Sequence, residues 1–204
     1  MSSDDSNLNN ITLNYYNENA SSFIEGTQNA SMFETLEEFI QYIPSEGSIL
    51  DLGCGSGRDT KYLLQHGFLV DAMDGSDELC QAATCFTGIQ VKQMDFLDLN
   101  EIQTYDGIWA CASILHLPYR NLPLMFGKIF QALRKNGILY VSFKYGSFEG
   151  MRNSRYFTDM TEEKLLYVLE KISDFIIIRQ WISLDIREGR EDEKWLNLIL
   201  RKVD

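Results

Sequence analysis

Residues 48–60 read SILDLGCGSGRDT, and this stretch decides the fold. It begins as a short apolar run, which is typical of a buried strand. Three glycines follow at Gly53, Gly55 and Gly57, before a predicted helix over residues 58–66. Without a Cβ, the backbone at a glycine can turn tightly or lie against a ligand. A strand, a glycine turn and a helix N-terminus direct backbone N–H groups at a ligand, so the stretch predicts a nucleotide-type binding turn.

The spacing of the glycines indicates which nucleotide is bound. In the dinucleotide fingerprint G-x-G-x-x-G, the last glycine would stand where this chain has Arg58. A second apolar strand, predicted over residues 68–73, ends at Asp74, whose carboxylate can accept both hydroxyls of a ribose. A third, predicted over residues 89–94, ends at Asp95-Phe96. That pair offers a carboxylate for an exocyclic amine and a ring for a purine.

These residues resemble the class I S-adenosylmethionine-dependent methyltransferases. The similar segments are DLGCGSG at 51–57, Asp74, Asp95-Phe96, YDGIWA at 105–110 and LRKNGIL at 133–139. The resemblance runs from about Tyr15 to the C-terminus. Within the class, the short length and residues 142–146 and 155–158 look like the small tellurite-resistance-type and related uncharacterised methyltransferases.

The resemblance implies a cofactor, S-adenosyl-L-methionine, with S-adenosyl-L-homocysteine as its product. It also implies an N-terminal tyrosine that closes over the cofactor; capping of the core is the alternative role for such aromatic rings. We predict that the cofactor-binding residues are Tyr15, Tyr16, Asp51, Gly53, Cys54, Gly55, Gly57, Arg58, Asp74, Gly75, Ser76, Asp95, Phe96 and Ala112.

The order of elements predicts an α/β fold. Strands and helices alternate from residue 48 to 143, which requires right-handed crossovers and a parallel sheet. Two final strands over 175–182 and 195–201 form a predicted hairpin. Together with the resemblance, this gives a Rossmann-like, doubly wound, mostly parallel seven-stranded sheet that ends in an antiparallel hairpin.

We expect residues 1–204 to form one domain. In it, residues 1–13 are expected to be flexible, 14–43 to form covering helices and 144–160 to form a substrate lid. Predicted helices also cover residues 31–43, 76–84, 120–134 and 161–170, and predicted strands cover 105–111 and 138–143.

Composition narrows the class of protein. The N-terminus is polar and acidic, unlike a secretory signal, and no apolar run reaches the length of a membrane span. Four cysteines without C-x-x-C pairing predict reduced thiols in a cytoplasmic protein, with no metal site. The net charge of −12 argues against a nucleic-acid partner. The sequence does not indicate the oligomeric state.

The charge is unevenly distributed. Residues 1–143 hold 18 acidic and 7 basic residues, whereas residues 144–204 hold 12 and 11. An acidic cofactor half suits a cationic sulfonium, and guanidinium groups near the C-terminus suit an oxyanion. We therefore expect a small anionic or polar substrate, or a metalloid oxyanion, bound by Lys144, Tyr145, Arg152, Arg155, Tyr156 and Arg187. The alternative is that these arginines pair on the surface with Glu149, Asp159, Glu188 and Glu191.

Methyl transfer requires an in-line acceptor, and a base only where the acceptor holds a proton tightly. His116 follows the fourth strand and is the candidate general base; the alternative is that it orders its loop or lies near the methionine part of the cofactor.

Two other functions of the protein stay open. A nicotinamide-dependent oxidoreductase is disfavoured by Arg58, whereas a non-catalytic cofactor-binding partner or sensor protein is compatible with every motif.

Overall fold

The computed structural model describes residues 3–171, 174–187, 189–190 and 192–203. Its main sheet contains seven strands, namely β1 (Ser48–Leu52), β2 (Leu69–Asp74), β3 (Lys92–Gln93), β4 (Tyr105–Ala110), β5 (Leu133–Lys144), β8 (Phe175–Leu184) and β9 (Lys194–Lys202). Their spatial order is β3-β2-β1-β4-β5-β9-β8. The first five are parallel, and β9 runs antiparallel to both β5 and β8. This confirms the predicted mostly parallel sheet with a terminal hairpin.

Seven α-helices accompany the sheet in the described part of the chain. They are α1 (Ser3–Glu18), α2 (Ala20–Thr27), α3 (Phe33–Ile40), α4 (Arg58–Gln65), α5 (Asp77–Thr87), α6 (Leu122–Ala132) and α7 (Glu162–Leu169). One apolar cluster joins the sheet to α6 and α7, and a second joins it to α3 and α4. Strands covered on both faces must be apolar throughout, which explains the buried runs in β1 and β4.

A small second sheet follows β5. It consists of β6 (Glu149–Arg152) and β7 (Arg155–Thr158), which pair in an antiparallel hairpin within the predicted lid. The two turn residues, Asn153 and Ser154, have φ values of 50° and 60°. Positive φ at both central residues is the geometry of a two-residue hairpin turn whose twist matches its strands.

The N-terminal prediction is wrong from Ser3 onward, where α1 replaces the expected flexible segment. Asp5 is only 3% exposed and bonds Arg120 and Asn121. Thr12 is equally buried, and its hydroxyl accepts a hydrogen bond from the backbone of Tyr156. These contacts join α1 to residues more than 100 positions away, so the local composition could not indicate them.

Three predicted boundaries also change. Only Lys92–Gln93 of the predicted third strand pair with β2. The helix predicted over residues 120–134 begins with a short 3₁₀ turn and is α-helical only over Leu122–Ala132. β5 then begins at Leu133. None of the helices within the described ranges has both the length and the apolar character needed to cross a bilayer.

Candidate active site

A cavity of about 1290 Å³ opens at the carboxyl ends of the parallel strands. In the strand order, β1 lies between β2 and β4, so the direction of strand succession reverses at this point. Crevices at such switch points are the usual ligand sites of open α/β sheets. The glycine turn, the ends of β2 and β4, and the hairpin residues all line this cavity.

Two glycines form the floor of the turn. Gly53 has φ of +84°, and a Cβ there would lie 2.5 Å from the Ser113 Cβ and 3.1 Å from the Phe96 ring. Gly55 has φ of +55°, and a Cβ there would lie 3.0 Å from the ring of Phe23. Both positions therefore require glycine for conformation and for space. The resulting cradle brings bare backbone to the cavity.

Asp74 is fixed inside this cradle at the end of β2. One carboxylate oxygen accepts a hydrogen bond from the backbone of Gly55 and the other from the backbone of Ser76, each at 2.9 Å. Burial raises the pKa of Asp74, and the backbone N–H donors oppose that rise. An acceptor oriented in this way suits the hydroxyls of a ribose.

The end of β1 carries a second buried carboxyl group. Thr60 donates a hydrogen bond to Asp51 at 2.6 Å. Burial, and then the charge of Asp59, raise the pKa of Asp51 to about 7. Asp59 itself pairs with Arg58 through both carboxylate oxygens and accepts from the Trp109 indole at 2.9 Å. Arg58 is thus neutralised by its own neighbour in the chain.

His116 is held by hydrogen bonds at both ring nitrogens. Its Nδ1 lies 2.6 Å from the carbonyl of Tyr156 and its Nε2 lies 2.8 Å from the Tyr16 hydroxyl. Because a carbonyl only accepts, Nδ1 carries the proton and Nε2 accepts from Tyr16. Burial lowers the pKa of His116 to about 4, with a further contribution from the charge of Arg155. The imidazole is therefore neutral at pH 7.

Basic residues line the far part of the cavity. We call five of them the basic group, namely Lys144, Arg152, Arg155, Arg187 and Arg190. Burial lowers the pKa of Lys144 to about 8, and the charges of Arg187, Arg190 and Arg152 contribute to that shift.

The structure brings most of the predicted site residues to one cavity. The lining includes Tyr16, Asp51, Gly53, Cys54, Gly55, Arg58, Asp74, Gly75, Asp95, Phe96, Ala112, His116, Lys144, Tyr145, Arg152, Arg155 and Arg187. Phe96 packs beside Gly53, and Asp95 accepts a hydrogen bond from Asn9 at 2.9 Å. Ala112 has φ of 50°, an unusual value for a residue with a Cβ, at the end of β4.

Four predicted residues are not among those that line the cavity. Tyr15 packs its ring on Arg155, and Gly57 lies against α5, where a Cβ would be 2.8 Å from Thr87. Ser76 caps α5 by accepting from the backbone of Leu79. Tyr156 donates its hydroxyl to Glu149 and offers its carbonyl to His116. Tyr15 and Tyr156 thus contact the lining residues Arg155 and His116, whereas Gly57 and Ser76 contact α5.

The sequence did not predict several other lining residues. Asn9 and Leu13 come from α1, and Phe23 comes from α2. Ser142 was detectable in principle, because it lies near the carboxyl end of β5, where ligands bind in such sheets. No local signal marks the helical residues, since their approach depends on how α1 folds back over the sheet.

Comparisons with known proteins agree with this geometry. Residues 49–137 match the family described as the methyltransferase domain. "Putative methyltransferase YqeM" of Bacillus subtilis strain 168 is 32% identical over 105 residues, which cover 48% of this chain and 42% of that protein. The chain thus aligns with less than half of that relative's length.

Two solved structures share the fold. The 1,6-didemethyltoxoflavin-N1-methyltransferase of Burkholderia thailandensis superposes with a TM-score of 0.74 and 19% identity, over 94% of this chain and 85% of that one. TehB of Haemophilus influenzae superposes with a TM-score of 0.70 and 16% identity, over 88% of this chain and 65% of that one. Residues 49–137 are thus similar to a methyltransferase domain, within a fold that the Burkholderia methyltransferase shares.

The residues that line the cavity fit an adenosyl ligand such as the S-adenosylhomocysteine held in the Burkholderia structure. A Cβ at Gly53 would overlap Ser113 and one at Gly55 would press on Phe23, so both positions keep bare backbone at the cavity. Asp74 and Phe96 line the cavity beside them, and Asp51 offers a carboxyl group to a cationic ligand. The family match favours methyl transfer over the nicotinamide alternative.

Proposed function

We propose that this chain transfers a methyl group from S-adenosylmethionine to a small anionic or polar molecule held beneath the β6–β7 hairpin. One observation carries the proposal: the glycine cradle and the basic group line the same cavity. Its volume of about 1290 Å³ exceeds the roughly 300–1,000 Å³ of ordinary ligand pockets, which leaves room for a cofactor and an acceptor. The Burkholderia structure likewise holds a small molecule together with S-adenosylhomocysteine.

When bound, S-adenosylmethionine supplies a methyl carbon that an acceptor lone pair takes, while the electrons of the broken C–S bond stay on sulfur and S-adenosylhomocysteine leaves. This chain's contribution is to position the partners and exclude water. Asp74 and the glycine cradle would hold the adenosine part, and the hairpin residues Arg152 and Arg155 cover the basic end. Such positioning supplies much of the rate in reactions of this kind.

The hydrogen bonds of His116 support the positioning role over that of a general base. Its Nε2 lone pair already accepts from Tyr16, and Nδ1 is committed to a carbonyl. A general base must reach the proton that it removes. In this neutral ring only the Nε2 lone pair could take a proton, and that lone pair already accepts the hydrogen bond from Tyr16. We therefore propose an acceptor that is already nucleophilic at neutral pH, such as an unprotonated nitrogen, a thiolate or an oxyanion.

The cofactor half of the proposal is tested by calorimetric titration with S-adenosylmethionine, S-adenosylhomocysteine and NADH. We expect both adenosyl ligands to bind and NADH not to bind. Asp74→Asn should weaken binding by about 1.5–3 kcal/mol, because a charged acceptor of hydrogen bonds is lost. Asp71→Asn is the matched control, since Asp71 lies on the same strand but bonds Tyr105. Binding of NADH alone would contradict the proposal.

The acceptor half is tested by measuring release of S-adenosylhomocysteine. A pool of cellular small molecules is separated on an anion exchanger, and each fraction is supplied as acceptor; tellurite and selenite are assayed separately. We expect turnover with a retained fraction or with a metalloid oxyanion. Turnover confined to the unretained fraction would contradict the anionic substrate. Tight cofactor binding without turnover in any fraction would support the non-catalytic alternative instead.

A further inference from the structure

Within the basic group, four of the five cations have carboxylate partners. Arg152 pairs with Asp159 at 2.8 Å, and Arg187 pairs with Asp185. Lys144 pairs with Glu193, which also lies 3.8 Å from Arg190. A cation that is already paired offers little net charge to a ligand, because its partner must first be displaced.

Arg155 differs from the other four. Across the described ranges, no carboxylate lies within ion-pair distance of its guanidinium, and its buried Nε has no hydrogen-bond partner. Aromatic rings surround it instead, with the centroids of Tyr15 at 4.5 Å, Phe157 at 5.2 Å and Tyr16 at 5.6 Å. Cation–π contacts offset part of the cost of burying the charge but satisfy none of its N–H donors.

A directional chain of hydrogen bonds fixes the guanidinium. Arg155 Nη1 donates to the Tyr16 hydroxyl at 3.4 Å, Tyr16 donates to His116 Nε2, and His116 Nδ1–H donates to the carbonyl of Tyr156. Since the only hydrogen of the Tyr16 hydroxyl is used, Tyr16 has none to donate to an anion in the cavity. The remaining N–H groups of Arg155 are the donors left for that purpose.

We propose that Arg155 is the anchor for the acidic group of the acceptor, a carboxylate or a comparable oxyanion. This rests on the proposed function and deepens it, since it assigns substrate charge recognition to one residue of the basic group. The planar guanidinium fork matches the two oxygens of a carboxylate, and the surrounding rings exclude water from that contact. Arg152, three residues earlier on the same hairpin, is held by Asp159 and shapes the lid.

The test is calorimetric titration of the complex with S-adenosylhomocysteine, using benzoate, its neutral amide benzamide, and inorganic phosphate as probes. The variants are Arg155→Met, Arg155→Lys and the control Arg134→Gln, which removes an exposed guanidinium paired with Asp106. We expect an oxyanion to bind the native complex and benzamide not to bind. Benzoate binding indicates an organic acid as acceptor; phosphate binding alone indicates an inorganic oxyanion.

Arg155→Met should weaken binding of the oxyanion by about 10- to 100-fold, because charge-assisted hydrogen bonds are lost. Arg155→Lys should retain part of it, since the charge remains without the fork. Affinity for S-adenosylhomocysteine should stay unchanged in all variants, which also shows that they fold. Equal oxyanion affinity in Arg155→Met, or no oxyanion binding by the native complex, would overturn the anchor.

A second outcome would also overturn it. If Arg155→Met loses affinity for S-adenosylhomocysteine as well, the guanidinium serves the cofactor's own carboxylate and not the acceptor. Failure of the proposed function is recognised separately, because the native chain would then not bind S-adenosylhomocysteine at all.

Discussion

Burial sets the protonation states of two side chains in the cavity, and it acts on them in opposite directions. It raises the pKa of Asp51 to about 7, which favours the neutral acid, and it lowers the pKa of His116 to about 4, which favours the neutral imidazole. In both cases the charged form is penalised by the loss of water. A cationic cofactor would favour the ionised form of Asp51, whereas the two hydrogen-bond partners of His116, a hydroxyl and a carbonyl, are neutral.

The pKa of His116 predicts a pH dependence of stability. Below the ordinary value of 6.5, the unfolded chain takes up a proton that the folded chain refuses until about pH 4. The stabilisation is therefore complete above pH 6.5 and is lost progressively as the pH falls toward 4. Between pH 7 and pH 5, the native chain should lose about 2 kcal/mol of unfolding free energy relative to His116→Gln.

Urea unfolding of both proteins at several pH values measures this difference, because the other titrating groups cancel. His66→Gln, which alters the exposed histidine after α4, is the matched control. A difference between the native chain and His116→Gln that stays constant from pH 7 to pH 5 would show that His116 is not protected from protonation.

At the scale of elements, the three glycines of the turn have different tasks. Gly53 and Gly55 leave room at the cavity, whereas Gly57 caps α4 and lies against α5. A Cβ at Gly57 would be 2.8 Å from Thr87 Cγ2 and 3.0 Å from the Ala83 Cβ. The third glycine of the motif therefore serves the packing of α4 against α5.

This difference predicts unequal costs for two similar substitutions. Gly88→Ala places a Cβ at φ of +85° with nothing within 4 Å. It should lower the free energy of unfolding only by the strain of a left-handed backbone at a residue with a Cβ, about 1–2 kcal/mol. Gly57→Ala, at φ of +77°, should cost about 1–3 kcal/mol more, because α4 and α5 must separate. Urea unfolding measures both, and equal losses would contradict the packing role of Gly57.

At the scale of the whole molecule, the cavity joins parts of the chain that are far apart in sequence. The α1 helix contributes Tyr16, the end of β2 contributes Asp74, the 3₁₀ turn after β4 contributes His116, and the hairpin contributes Arg155. A ligand that bridges these parts binds only the folded chain, so its binding energy adds to the stability of the whole structure.

We expect S-adenosylhomocysteine at 100 times its dissociation constant to raise the unfolding free energy by about 2.7 kcal/mol. For a chain of this size, that corresponds to a rise in melting temperature of roughly 5–10 °C. Asp74→Asn at the same ligand concentration should show a smaller rise, and NADH should give none. An equal rise in Asp74→Asn would place the adenosyl ligand away from β2.

Much of the fold was predictable because its signals are local. Apolar runs marked β1, β2 and β4, and the glycine turn marked the point where the chain passes from β1 into α4. The prediction of the third strand was wrong for most of its length, because only two of its residues pair with β2. Whether an apolar run pairs depends on its neighbour, which a local pattern does not contain.

The sequence by itself determined the strands β1, β2 and β4, the glycine turn and the acidic positions that follow the strands, because each depends on residues within one turn or strand. Only the tertiary structure decided which cations are free. Arg152 and Arg155 are the same residue type on one hairpin, yet one meets Asp159 and the other meets Tyr16, 139 positions away. Charge recognition depends on such distant contacts, since a guanidinium binds a ligand only where the fold has left it without a carboxylate.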